Sequence, residues 1–74
     1  PTVVALLSKG MAGADVKRLQ LRLIEGGYPL PKHGADGGFG DETDQAVRRF
    51  QADHKLTVDG WVGANTRAAL KLAA

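Results

Sequence analysis

Few side chains in this 74-residue sequence could do chemistry, and their spacing limits what that chemistry can be. Zinc hydrolysis needs about three protein ligands in a fixed tetrahedral arrangement plus a general base. His33 and His54 are isolated from one another, one in a loop and one at a helix end, and there is no cysteine to join them. No metal or cofactor site is expected. His54 reads instead as a partly buried helix-terminal residue meeting the last carbonyls. Glu25 and Glu42 could in principle act as a glycosidase pair. Glu25 falls in a last turn and Glu42 in a first turn, however, which are ordinary places for surface carboxylates. GGFGDE at 37–42 nearly matches the calcium repeat Gly-Gly-x-Gly-x-Asp, but Glu42 stands where Asp is required and such sites need stacked repeats. An EF-hand fails because acidic residues do not alternate along the loop and the bidentate Glu is missing. GFGDET is no dinucleotide fingerprint, since Thr43 replaces the third glycine and no βαβ strand precedes it. The residues lack a convergent catalytic set.

What the sequence does contain is a repeat. DGGFGDETDQAV, residues 36–47, is echoed by DGWVGANTRAAL, residues 59–70, with Asp, Gly, Gly, Thr and Ala in the same order and at one constant offset. Each copy reads as a turn placed directly before a helix. The Asp can accept from the backbone two residues on, and the Gly after it takes positive φ at no steric cost. Phe39 or Val62 then enters the core, and Gly40 or Gly63 serves as a permissive N-cap. The small Thr and Ala further on let the helix approach its neighbour. A fainter echo pairs DVKRLQ at 15–20 with AVRRFQ at 46–51, consistent with a duplicated helix-turn unit.

Three helices must position these turns. Val16, Leu19, Gln20, Leu23 and Ile24 share a face, Asp15 suits the helix start and Gly26-Gly27 stop it, which predicts a helix over about 14–25. Leu21 lies off that face and should be exposed. Thr43, Ala46, Val47, Phe50 and His54 share a second face, over about 41–54. Thr66, Ala69, Leu70 and Ala73 share a third, from Gly63 to near Leu72. None of these helices is stable alone, so the expected fold is all-α: three short helices packed as a small bundle with two Asp-Gly-x-apolar-Gly turns. The core should centre on Val16, Leu19, Leu23, Phe39, Val47, Phe50, Val62 and Leu70. Gln20 and Gln51 sit at the edges of core-facing stripes, where their amides can serve the backbone of the turns.

Size allows one domain, residues 1–74, with modest stability. No apolar run approaches the ~20 residues that span a bilayer, so no membrane partner is expected. The opening PTVVALLSKG is too short and lacks the basic lead-in of a signal peptide. Pro1 is compatible with a natural N-terminus after removal of an initiator Met. The net charge is only +2, and basic and acidic residues interleave. A nucleic-acid binder usually shows an uncompensated basic stripe, so a mixed solvated surface is the expected reading.

Taken together, these residues resemble a peptidoglycan-binding domain of the three-helix type, found on bacterial cell-wall hydrolases and phage endolysins. The matching elements are Leu7-x-x-Gly10, Gly13-x-Asp15-Val16-x-x-Leu19-Gln20-x-x-Leu23 and Gly27-Tyr28. They continue with Asp36-Gly37-x-Phe39-Gly40-x-x-Thr43-x-x-Ala46-Val47-x-x-Phe50-Gln51 and Val58-Asp59-Gly60-x-Val62-Gly63-x-x-Thr66-x-x-Ala69-Leu70. The likeness covers about residues 6–72. The loop YPLPKHGADG at 28–37 is longer than the family's usual connection. The resemblance implies a noncatalytic, monomeric module, covalently linked to a hydrolase such as an endolysin or autolysin. It would act at the cell wall or in the periplasm. The pro-segments of matrix metalloproteinases are a remote relative whose inhibitory cysteine is absent here.

Peptidoglycan offers sugar rings with apolar faces, hydroxyls, amides and stem-peptide carboxylates, so a binder wants an aromatic platform and hydrogen-bonding groups. The candidates are Trp61, Tyr28, Asp36, Asp59, Arg48 and Arg67. Trp61 fills the variable third position of its turn, where the other copy has Gly38, and Val62 takes the core-facing role beside it. The indole is either a surface platform or a partial cover over the end of the second helix. Tyr28 can be core with an exposed hydroxyl, and Asp36 and Asp59 are first of all turn formers. The alternative function is a small helix-turn-helix nucleic-acid-binding domain, for which Arg48 and Arg49 on the outer side of the second helix are the best support. A small stand-alone enzyme is the third reading.

Overall fold

The computed structural model describes residues 7–71. Three helices follow in order: α1 (Ala14–Glu25), α2 (Asp41–Asp53) and α3 (Ala64–Ala69). Helix α1 starts after Gly13 with Asp15 in its first turn and ends at Gly26-Gly27, where Gly27 has φ 95°. Gly40 caps α2 without a side-chain bond, and Asp41, Glu42 and Asp44 supply negative charge to its first turn. Among the described residues there is no strand, only two isolated antiparallel bridges, Leu7 with Val62 and Ala12 with Gly38.

Those bridges belong to a feature the helical periodicity does not announce. The extended segment before α1 laces both turns together. Leu7 exchanges backbone bonds with Val62 at 3.3 and 2.8 Å, Gly10 N–H donates to Phe39 O at 2.9 Å, and Phe39 N–H donates to Met11 O at 2.8 Å. Gly13 N–H reaches Gly37 O at 2.9 Å. Leu7 is buried by this pairing and joins the core, as do Tyr28 and Leu30. The remainder of the core contains every residue expected from the sequence: Val16, Leu19, Leu23, Phe39, Val47, Phe50, Val62 and Leu70.

Three expectations need correction. Ile24 is 42% exposed, because it lies about 80° round the helix from Val16 while Leu19, Gln20 and Leu23 fill the buried face. Helix α3 ends at Ala69, with Leu70 as its cap and Lys71 at φ 59°, a left-handed residue that no helix continues through. Leu72 and Ala73 lie outside the described residues. His54 is exposed rather than partly buried, although it meets the expected carbonyl: its Nδ1 is 3.0 Å from Phe50 O and its ring stacks on Phe50 at 4.0 Å. Leu21 is exposed as expected.

Two buried glutamines fix the turns. Gln20 is 0% exposed and Gln51 1%. Gln20 Oε1 accepts the Gly37 amide at 2.8 Å, and its Nε2 donates to Gly38 O and Thr43 Oγ1, both at 2.9 Å, and to Asp36 Oδ1 at 3.2 Å. Gln51 does the same one repeat later. Its Oε1 accepts from Asp59 N at 3.2 Å and Gly60 N at 3.1 Å, and its Nε2 donates to Trp61 O, Asp59 Oδ1 and Thr66 Oγ1. Each Asp closes its own turn two residues on, Gly38 N to Asp36 Oδ1 and Trp61 N to Asp59 Oδ1, both at 2.9 Å. The glycine between them takes positive φ, 84° at Gly37 and 76° at Gly60.

These bonds carry stability predictions. Gln51→Leu strands two turn amides and the Trp61 carbonyl, at about 1–3 kcal/mol for each buried group left unmatched. Urea titration should show loss of cooperative folding or a large drop in midpoint, and an unchanged midpoint would show that the amide contributes little. Gly37→Val and Gly60→Val should each cost more than ~1 kcal/mol, because a β-branched residue is forced to positive φ. Gly60→Val should be the worse, since a Cβ there would lie 2.6 Å from Asp44 Oδ1 and 2.9 Å from Arg48 Nη2. Equal midpoints for the two variants would remove that added clash.

Acid should act on the same turns. The Gly38 amide, then Gln20, holds Asp36 below the ordinary carboxylate range. The Trp61 amide does so for Asp59, against a smaller opposing effect of burial. A carboxylate depressed on folding stabilises above its unfolded pKa of about 4, and that contribution is lost as pH falls through the folded value. Thermal midpoints should therefore fall on acidification from pH 4 downward, and Asp36→Asn with Asp59→Asn should flatten that slope. An unaltered slope in the double variant would assign acid sensitivity to other groups.

Candidate functional site

The turn-helix repeat produces two clefts from equivalent positions. The second encloses about 270 Å³ and is lined by Leu56, Thr57, Asp59, Trp61 and Asn65 with Gln51 and Thr66 at its base. The first encloses about 380 Å³ between Met11, His33, Asp36, Gly38 and Glu42. Asp36 corresponds to Asp59, Gly38 to Trp61, Glu42 to Asn65 and Thr43 to Thr66, all at one offset. The first cleft has the buried Phe39 ring in its lining, whereas the second carries an exposed indole.

Trp61 is 49% exposed, and its backbone is fixed on both sides. Its N–H goes to Asp59 Oδ1 and its carbonyl receives Gln51 Nε2, both at 2.9 Å. The next residue, Val62, is fully buried, and alternation across that extended step turns the indole outward. A backbone held in place before a ligand arrives has less freedom to lose on binding. Beside it, exposed Asn65 and Thr57 supply an amide and a hydroxyl.

The other candidates divide. Asp59 and Arg48 meet at the Trp61 turn: Arg48 Nε donates to Asp44 Oδ2 at 3.1 Å and its Nη2 reaches Asp59 O at 3.4 Å. Arg48 thus braces the turn, and half of the arginine pair behind the helix-turn-helix alternative is tied down. Asp36 belongs to the first cleft, and its Oδ1, like that of Asp59, is occupied within its own turn. Arg67 is half-buried in the last turn of α3. Tyr28 is a core residue, as expected. Its ring is buried with an edge contact to Phe50 at 5.4 Å, and its hydroxyl is not free but donates to Asp53 Oδ2 at 2.7 Å. That bond holds the phenol above its ordinary pKa.

Sequence reasoning passed over Asn65, Thr57 and Leu56. Asn65 was legible as the partner of Glu42 in the repeat. Thr57 and Leu56 come from the connection that Leu56 N–H pins to Gln51 O at 2.8 Å, which no helical period reveals. Among the described residues no group of three His, Asp or Glu is placed to hold a metal ion.

Comparisons with known proteins agree with this geometry. The family model of the peptidoglycan binding domain matches residues 12–70. A probable N-acetylmuramoyl-L-alanine amidase of Bacillus licheniformis is 48% identical over 92% of this chain and 19% of its own length. The zinc D-Ala-D-Ala carboxypeptidase of Streptomyces albus G is 42% identical over 81% of this chain and 24% of its own. The chain therefore spans about a fifth to a quarter of these curated relatives. Among solved structures, the SleB N-terminal domain superposes with a TM-score of 0.86 at 38% identity, covering 96% of this chain and 94% of that one. A Burkholderia AP3 phage endolysin gives 0.85 at 40% identity, over 92% of this chain and 25% of its own. With the family match running from the lacing segment through α3, and the same three-helix fold in the solved relatives, the chain belongs to the peptidoglycan binding domain family.

Proposed function

We propose that this chain is a noncatalytic module that holds an attached cell-wall hydrolase, such as an endolysin or autolysin, on peptidoglycan. The observation that carries this reading is Trp61, an exposed indole on a backbone fixed by hydrogen bonds at the mouth of a polar cleft. A sugar ring presents an apolar face to such an indole, while Asn65 and Thr57 can meet hydroxyls and amides at its rim. The cleft is shallow and no catalytic constellation lines it. The relatives support the attachment, since the chain matches a small part of an amidase and of an endolysin. The setting is then the peptidoglycan layer, the partner is a glycan strand with its stem peptides, and the module acts as a monomer. Affinity of one module should be weak, with residence gained from the immobile polymer and the tethered enzyme.

Sedimentation with purified sacculi tests this. Trp61→Ala should weaken binding by about tenfold, the order of one stacked ring, and leave helical signal and thermal midpoint nearly unchanged. Unfolding of the variant would make the indole structural. A folded variant that binds as before would move recognition to another face. Binding of the wild type to a DNA duplex with steep salt dependence, and none to sacculi, would favour the nucleic-acid alternative. Release of sugar or peptide from sacculi by the isolated domain would make it an enzyme.

A further inference from the structure

A third cleft, of about 270 Å³, lies between the 28–34 loop and α2. Tyr28, Pro29 and Pro31 form its apolar walls, and Lys32, Gln45 and Arg49 supply its donors. The walls are set in advance. The Tyr28 ring is locked by its bond to Asp53 and its contact with Phe50, and Tyr28 N–H donates to Leu23 O at 2.8 Å. Proline fixes φ at two positions. Leu30 anchors the loop in the core, and Gly34 N–H closes it on Leu30 O at 2.8 Å.

Charge at this cleft is uneven. Arg22 and Arg48 are matched by Glu25 and Asp44, whereas Arg49 forms no ion pair with a carboxylate among the described residues, and the Lys32 ammonium forms no close pair, meeting Glu42 only as a charge through space. The carboxylates of Glu42 and Asp53 are already engaged. Glu42 lines the cleft, but its Oε1 accepts His33 N–H and its Oε2 Lys32 N–H, both at 2.8 Å. Partial burial pushes the Glu42 carboxyl up, and the two amides together with the His33 and Lys32 charges outweigh it and leave it below the ordinary range. Asp53, one turn on from Arg49, takes the Tyr28 hydroxyl. Glu42 thereby docks the loop and leaves an exposed guanidinium and ammonium beside a cleft with apolar walls on one side and polar groups on the other.

We propose that this cleft is a second binding site, which takes the free C-terminal carboxylate of a short peptide with Arg49 as its principal anchor. The guanidinium presents two parallel N–H groups to a carboxylate, with Lys32 and the Gln45 amide alongside, and the proline and tyrosine walls suit a small apolar terminal side chain. The choice of a stem-peptide terminus as the source rests on the wall-binding reading above. An extended phosphate polymer fits less well, because the two cations flank a compact pocket rather than form a stripe.

The test uses isotope-labelled domain titrated with N-acetyl-D-alanyl-D-alanine and, separately, with its C-terminal amide, followed by amide chemical shifts. The acid should move the signals of Lys32, Gln45, Ala46 and Arg49. Amidation, or Arg49→Gln, should weaken the interaction by about tenfold, the order of one charge-assisted contact, and Arg49→Lys should restore part of it. Equal binding of acid and amide, an Arg49→Gln domain that binds like wild type, or no shift at the cleft in a domain that still sediments with sacculi would each overturn the proposal. A DNA duplex that moves these signals more strongly than the peptide would overturn it in favour of a phosphate polymer. Shifts with the acid in a domain that fails to sediment with sacculi would uphold the carboxylate site and remove the wall as its source.

Discussion

An amide side chain sealed inside a protein must find partners for its two N–H donors and its carbonyl oxygen, and this chain meets that demand twice in the same way. Gln20 and Gln51 each project from a helix into the turn that precedes the next helix, accept backbone N–H from that turn and donate to its carbonyl, its Asp and its Thr. No buried side-chain nitrogen or oxygen among the described residues is left without a partner. The arrangement is cooperative. Asp36 and Asp59 could form their turns alone, but only the glutamine fixes each turn against the helix behind it.

That constraint explains how so short a chain holds a defined surface. Its apolar core is small, and α3 has only six residues, too few to persist without neighbours. The clamped turns provide rigid junctions in place of a larger core. The 7–13 segment then joins the two junctions by main-chain bonds, so that Phe39 and Val62 enter the interior from fixed positions. Trp61 inherits its orientation from this chain of constraints: Gln51 holds its carbonyl, Asp59 its amide, and buried Val62 directs it outward.

Much of this was legible in the sequence because it is periodic. Val16, Leu19 and Leu23 repeat at helical spacing, and the Asp-Gly-x-apolar-Gly pattern marks turns whose chemistry is local. Gln20 and Gln51 are polar residues at the edges of core-facing stripes, placed to serve the turns. Aperiodic features were harder to read. Leu7 is buried by pairing with a residue far along the chain, and Leu30 by the fold of a proline-rich loop, neither of which leaves a spacing signal. The Tyr28 hydroxyl depended on Asp53 arriving from another helix. At the site, Trp61 could be placed from its neighbour Val62, whereas Arg48 and Arg49, adjacent and identical in type, differ only in what surrounds them. One is spent on Asp44 and the other is left to face a cleft.

The repeat also shows where a duplicated scaffold is free to diverge. Asp, Gly, Gln and Thr serve the clamp and are the same in both copies: Gln and Thr are its buried partners, Asp closes the turn and Gly takes the positive φ. The third turn position and the residue before Thr touch no part of the clamp with their side chains, and there the copies differ: Gly38 against Trp61, and Glu42 against Asn65. Their uses differ accordingly. Glu42 turns to the 28–37 loop and fixes it through two amides, so the first copy spends its variable position on structure. Asn65 stays exposed beside an indole, so the second copy leaves its variable positions open at the rim of a cleft. One scaffold thus yields a loop anchor and an aromatic cleft, because the clamp that makes each turn rigid leaves the same two side chains uncommitted.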